Sequence, residues 1–176
     1  MIVWLNGSFG VGKTTVSGHL VTRREQLRHF DPEWLGHMLA NNLADHAVTD
    51  FQQYPSWRRL VPVVADELIR VTGQHLVAAQ TVLVESYWRE IHHGLADLGH
   101  GIFHVVLDAD AETLHARIDA DQEEPERIRP WRHRHVDIYG TALEWLRPTA
   151  DLVVDTMSID AASVSQEIYA AVAPRL

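Results

Sequence analysis

Residues 2–14 read Ile2-Val-Trp-Leu-Asn-Gly-Ser-Phe-Gly-Val-Gly-Lys-Thr14, and this stretch decides the fold class. Ile2–Asn6 is a short apolar run bounded by glycine, the pattern of a buried strand. Gly7 to Thr14 then satisfies G-x-x-x-x-G-K-[ST]. A helix is predicted from Gly12 to about Arg24, so the motif sits between a strand and a helix, where a phosphate loop belongs. The glycines let backbone amides turn inward around a polyphosphate, and the helix N-terminus adds its dipole. Lys13 can reach the β- and γ-phosphates, and the Thr14 hydroxyl can hold Mg²⁺. The expected nucleotide-binding set is Gly7, Ser8, Phe9, Gly10, Val11, Gly12, Lys13, Thr14 and Thr15. The rival reading, a glycine-rich turn that binds nothing, leaves the register of strand, loop, helix and lysine unexplained.

That lysine is singular. Among 15 basic residues, 14 are arginine and only Lys13 is lysine. A chain that uses arginine everywhere else keeps lysine where a compact ammonium must fit between phosphates. The remaining composition narrows the class. The chain has 176 residues, 46% of them hydrophobic, which suits one domain with a sizeable core and excludes a disordered chain. Twenty-four acidic residues bring the net charge to −9, which argues against a broad nucleic-acid-binding surface. There are no cysteines, so disulfide scaffolds, thiolate zinc sites and cysteine nucleophiles are out. No apolar stretch approaches the ~18–20 residues of a membrane span, and no signal-peptide layout opens the chain. A cytoplasmic location is the expectation. The 12 histidines show no metal-ligand spacing.

Outward from the loop, Leu27–Phe30 reads as a second strand, and Asp31-Pro32 as the start of a helix running to about Leu43. Val61, Val64, Leu68 and Val71 recur at helical spacing. Thr81–Val84 reads as a strand ending at Glu85, Phe103–Leu107 as another ending at Asp108, and Leu152–Val154 as the last. Leu114 and Ile118 mark a helix that Asp110 can cap, and Val164, Ile168 and Ala171 stripe a C-terminal one. Five alternations of strand and helix predict an α/β fold with a five-stranded, mostly parallel sheet covered on both faces.

In such a sheet, ligands bind beyond the carboxyl ends of the strands. Asp31 therefore qualifies as a catalytic carboxylate that accepts a proton from a substrate hydroxyl, or simply as a helix cap. Glu85 qualifies as a metal-side or substrate-side acid. Asp108 and Asp155 read as turn formers. Residues 121–135 gather Arg127, Arg129, Arg132 and Arg134, with Pro125 and Pro130 breaking any continuous helix. They read as a lid that closes on a triphosphate, Arg127 and Arg129 being the catalytic candidates. Asp50 to Arg59 packs Phe51, Tyr54, Trp57 and Arg58 together, either to grip an acceptor or to pack on the core.

Three segments together resemble the tunicamycin-resistance family of ATP-binding, small-molecule kinase-like proteins. They are Ile2–Thr14, Phe30-Asp-Pro-Glu-Trp-Leu-Gly36 and Asp50-Phe-Gln-Gln-Tyr-Pro-Ser-Trp-Arg58. The resemblance covers the first third of the chain; near Glu85–Trp88 the chain departs from the pattern. It implies a kinase-type P-loop NTPase fold in three layers, with residues 31–75 on the acceptor side. It also implies substrate contacts from Asp31, Phe51, Tyr54, Trp57 and Arg58. The expected function is Mg²⁺-dependent phosphoryl transfer from ATP or GTP to a hydroxyl of a small molecule, a tunicamycin-type nucleoside antibiotic being a candidate. Two alternatives stand beside it: a nucleotide-dependent protein that sequesters the drug unmodified, and a housekeeping nucleoside or metabolite kinase. Oligomeric state is not legible.

Overall fold

A computed structural model describes residues 1–22, 24–122 and 126–176. Within them, β1 (Ile2–Asn6) leads through the phosphate loop into α1 (Lys13–Val21), followed by β2 (Leu27–Phe30), α2 (Glu33–Asn42) and α3 (Pro55–Thr72). Next come β3 (His75–Ala79), α4 (Glu85–Asp97), β4 (Ile102–Asp108) and α5 (Ala111–Ala120). The chain closes with α6 (Arg129–Thr149), β5 (Leu152–Asp155) and α7 (Ala161–Val172). The five strands form one parallel sheet in the order β2-β3-β1-β4-β5. The expected α/β class and five-stranded parallel sheet are observed.

Strand alternation explains the three layers. Successive β1 side chains point to opposite faces of the sheet. Val3 and Leu5 join a core with Val16, Leu20, Leu114, Tyr139 and Ile168, from the helices on one face. Ile2 and Trp4 join a second core with Trp57, Val61, Trp88 and Ile91, from α3 and α4 on the other. Every β1 residue is fully buried, as a central parallel strand requires.

Two elements differ from the sequence reading. Thr81–Val84 is not a strand; β3 lies earlier, pairing Leu76 with Ile2 and Ala79 with Leu5. The ladder ends where the Gln80 amide donates to the Leu5 carbonyl at 3.1 Å. Beyond it, the Asn6 side chain replaces the strand partner. Its Nδ2 donates to the Val82 carbonyl at 3.0 Å, and its Oδ1 accepts from the Val82 and Gly7 amides at 2.9 Å each. The β-branched run is apolar because this loop is buried, not because it is extended. Glu85 consequently opens α4 rather than ending a strand.

The second difference concerns residues 121–135. Pro130 does not break a helix but sits in the first turn of α6, where its missing N–H costs no intrahelical bond. The helix then runs for 21 residues. Glu123, Glu124 and Pro125 lie outside the described residues, as does Arg23 in the predicted C-terminal turn of the first helix.

The Asn6 clamp makes a stability prediction. Asn6→Ala removes three buried hydrogen bonds and strands two backbone groups of Val82, costing about 2–4 kcal/mol. Urea unfolding of the variant should show a lower midpoint with an unchanged slope; an unchanged midpoint contradicts the clamp.

Candidate functional site

The phosphate loop is shaped by its glycines. Gly7 and Gly12 hold φ of 143° and 95°, which side-chain-bearing residues rarely adopt. A Cβ on Gly7 would stand 2.5 Å from the Leu107 carbonyl oxygen of β4, so only glycine lets β1 turn here. A Cβ on Gly12 would meet nothing within 4 Å. The loop therefore opens a concave side at the start of α1.

Lys13 is folded back into that concavity. Its Nζ donates to the Ser8 carbonyl at 2.8 Å and the Gly7 carbonyl at 3.2 Å. Burial pushes its ammonium down to about 7; Glu33 opposes the shift and Arg132 adds to it. Two cations approach the Phe9 ring, with Lys13 Nζ and the Arg132 guanidinium each 5.5 Å from its centre. Arg132 is buried and donates to Asp121 Oδ2 at 2.7 Å.

These groups line a cleft of about 790 Å³ at the carboxyl edge of the sheet. Its floor is the loop, from Phe9 through Thr14 and Thr15. Its far wall carries Glu33, Asp50, Phe51, Gln80 and Thr81, and its roof carries Trp131 and Arg132. Asp50 is half-buried, and its Oδ1 accepts from the Gln52 amide at 2.9 Å. Burial raises its pKa, while the Gln52 amide and His135 oppose the rise. The Gln52 side chain donates to the Thr81 carbonyl at 2.8 Å, and the Thr81 hydroxyl donates to the Gly7 carbonyl at 2.9 Å. The segment bearing Asp50 is thus tied directly to the phosphate loop.

A smaller arm of about 240 Å³ leaves the loop on the other side, between Gly10, Gly12, Thr15, Arg117, Thr156 and Ile159. Arg117 is fixed across it, donating to Thr156 Oγ1 at 3.0 Å and to the Thr156 carbonyl at 2.7 Å. Sequence reading missed Arg117, which lies outside the arginine-rich segment on the helical face one turn from Leu114.

The other candidates separate. Phe51 lines the cleft and packs on Gly36, where a Cβ would come within 2.4 Å of the ring. Tyr54, Trp57 and Arg58 do not line it. Trp57 is wholly buried and donates to the Pro32 carbonyl at 3.0 Å; the Tyr54 hydroxyl donates to the His46 carbonyl at 3.1 Å. Arg58 is buried against Tyr87, donating to Glu90 at 2.7 Å and to the Gln52 carbonyl. These three shape the segment from behind, which is the core-packing alternative.

Asp31 also lies off the cleft lining; its Oδ1 accepts from the Glu33 amide at 2.9 Å, leaving Glu33 as the lining acid. Glu85 pairs with Arg89 at 2.6 Å, one turn along α4, and is absent from the lining. The place next to β3 expected to carry an acid holds Gln80 instead, whose buried Oε1 has no partner. Of the four clustered arginines only Arg132 lines the cleft. Arg127 and Arg134 are exposed, and Arg129 turns to the Asp121 carbonyl and Glu126. Asp155 does form a turn, accepting from the Met157 amide; Asp108 instead accepts from Tyr139 and Arg147.

A family profile described as "AAA domain" matches residues 2–137. The chain belongs to the AAA domain family. Its fold is the kinase-like form of the P-loop architecture. The tunicamycin resistance protein of Deinococcus radiodurans is similar over 98% of this chain and 95% of its own, with TM-score 0.72 and 22% identity. A sugar kinase from Janibacter sp. is similar over 98% and 94%, with TM-score 0.71 and 18% identity. Shikimate kinase from Acinetobacter baumannii, in complex with shikimate, is similar over 99% and 93%, with TM-score 0.60 and 19% identity. At these identities the likeness establishes the fold. Curated proteins give no match. Among the described residues, no helix is long and apolar enough to cross a membrane.

The Lys13 environment predicts a pH dependence. Phosphate binding favours the charged ammonium, so nucleotide uptake brings a proton with it once the free lysine titrates near 7. ADP affinity, measured by calorimetry, should therefore fall as pH rises from 7.5 to 9, by at most about tenfold per unit. In Lys13→Met the slope should vanish; a slope that survives there overturns the assignment.

Proposed function

We propose that this protein is a phosphotransferase that moves the γ-phosphoryl group of ATP or GTP onto a hydroxyl of a small molecule. One observation carries the reading: a single cleft joins the phosphate loop, with Lys13 and Arg132, to a carboxylate wall headed by Asp50. A protein that only held nucleotide would need the loop and no such wall.

The loop fits a polyphosphate on its own chemistry, through a concave backbone that only glycine permits and a partly desolvated lysine poised above it. Lys13 exchanges its two carbonyl contacts for phosphate oxygens, and Arg132 bears on the charge that spreads over the transferred group. The arm at Arg117 and Ile159 takes the nucleoside end. Mg²⁺, when bound, would neutralise phosphate charge, and the Thr14 hydroxyl would hold it, with the buried Gln80 Oε1 nearby on the cleft wall. The acceptor oxygen forms its bond to the γ-phosphorus as the bond to the β,γ-bridging oxygen breaks, releasing the nucleoside diphosphate. The hydroxyl proton passes to Asp50, whose desolvation favours taking it. Asp31 then serves as a positioning residue that fixes the start of α2 and, through it, Glu33.

The candidate acceptor remains a nucleoside antibiotic of the tunicamycin type, supported by the resemblance of three sequence segments and by the fold shared with the D. radiodurans protein. Mass spectrometry of tunicamycin recovered after incubation with ATP and Mg²⁺ should show one added phosphoryl group. Unmodified drug that co-elutes with the protein favours sequestration. Unmodified, unbound drug alongside ADP formation with ordinary metabolites favours a housekeeping kinase.

The proton acceptor has its own assay. Asp50→Asn should lower acceptor-dependent ADP formation by about 10²–10⁴-fold while leaving nucleotide affinity unchanged. Asp31→Asn should cost less. The wild-type rate should fall as pH drops through the raised Asp50 pKa, because the protonated carboxyl cannot accept. A larger loss at Asp31 than at Asp50 returns the role to the end of β2.

A further inference from the structure

Past Asp50, beside the main cleft, lies a side pocket of about 260 Å³ that phosphoryl transfer itself does not require. Phe9, Asp50, Gln52, Thr81 and Trp131 line both spaces, so the two adjoin. Three features define the pocket. Four rings contribute to its walls: Trp131 lies 4.0 Å from His135 and 4.9 Å from Phe9, centre to centre, and Tyr87 adds a fourth from α4. Among the described residues, no charged side chain lines it apart from Asp50 at the junction and, when protonated, His135. Its polar groups sit together, with Gln53 Nε2 donating to Thr49 Oγ1 at 3.2 Å.

The helix spacing is what builds the wall. Trp131, His135 and Ile138 stand at i, i+4 and i+7 on one stripe of α6, the same helix that carries Arg132 over the phosphate loop. Phe9 belongs to the loop itself, and the two cations approach its ring. An occupant resting on Phe9 and Trp131 would therefore touch the phosphate-binding loop directly. A polyol or sugar acid gains less from such a lining, since its hydroxyls would lose water against the ring faces and aliphatic groups that make up most of its surface. A planar ring gains both burial and offset or edge-on ring contacts.

We propose that this pocket seats a planar, uncharged heteroaromatic ring of the acceptor, so that the acceptor has two parts, with its hydroxyl-bearing part in the main cleft beside Asp50. The inference rests on the phosphotransferase reading for the word acceptor, but the pocket's ring selectivity is measurable without any turnover.

The test uses the intact chain with its nucleotide site saturated by a non-hydrolysable ATP analogue, so that no ring can enter the Arg117 arm. Uracil, nicotinamide and indole are the ring probes, with ribose and gluconate as non-aromatic controls, all followed by ligand-observed NMR. Ile138 and Val84 line the pocket rim and are 45% and 44% exposed, so arginine is tolerated there without disturbing the core. At least one ring probe should bind at millimolar concentration more tightly than either control. Ile138→Arg should weaken that probe by about fivefold or more with analogue affinity unchanged. Val84→Arg should repeat the effect from the opposite wall. Absence of ring binding to the wild-type complex, or ring binding indifferent to both substitutions, overturns the proposal. Failure of phosphoryl transfer shows up separately, as an absence of acceptor-dependent ADP formation with ring binding intact.

Discussion

The site depends on one buried amide. Asn6 ends the central strand at the point where the sheet stops supplying partners, and its side chain takes over the Val82 backbone. Without it, the loop after β3 would carry unsatisfied polar groups into the core, which buried backbone does not tolerate. With it, residues 80–84 are pinned beside the phosphate loop, and Thr81 bonds at once to Gly7 and to Gln52. Arg58 then grips the Gln52 carbonyl from behind and is itself held by Glu90. A single chain of hydrogen bonds runs from β1 to α4 and sets the distance between phosphate side and carboxylate wall. Positioning dominates phosphoryl transfer, so on the phosphotransferase reading this chain of bonds serves function as much as structure.

That chain explains which parts of the molecule were legible in the sequence. The strand–loop–helix of residues 2–14 is local: strand burial, glycine spacing and the lysine all fall within one window. Five strands in parallel follow from alternation, and Asp110 caps α5 as its position suggests, accepting from the Thr113 amide. What was not legible is long-range. Thr81–Val84 has a strand's composition because burial selects the same residues whatever the backbone does, and only the ladder to β1 reveals that β3 has already ended. Asp31 is the carboxylate that strand order points to on paper, yet Glu33 and Asp50 line the cleft and Asp31 does not. Among the arginines, clustering misled: Arg132 alone of the four reaches the cleft, while Arg117 arrives from a different helix. Density in sequence marks a charged segment, whereas helix phase decides which member faces inward.

The charge balance reads differently once the site is built. A chain of net charge −9 binds an anion only if its cations are gathered locally, and here Lys13, Arg117 and Arg132 converge on one cleft from three helices. Lys13 is the least comfortable of them. Burial lowers its pKa to about 7 and Arg132 adds to the shift, against the support of Glu33 and of the Gly7 and Ser8 carbonyls that accept its hydrogen bonds. An arginine could not shed its charge there and could not seat its broad plane between the Gly7 and Ser8 carbonyls. On the phosphotransferase reading, a polyphosphate entering the site favours the charged ammonium. Burial depresses Lys13 and raises Asp50 across the cleft, so that the two groups are displaced toward neutrality from opposite directions. Burial of each group in its own surroundings is the largest cause in both cases, and on the phosphotransferase reading such opposed displacements suit acid–base work near neutral pH.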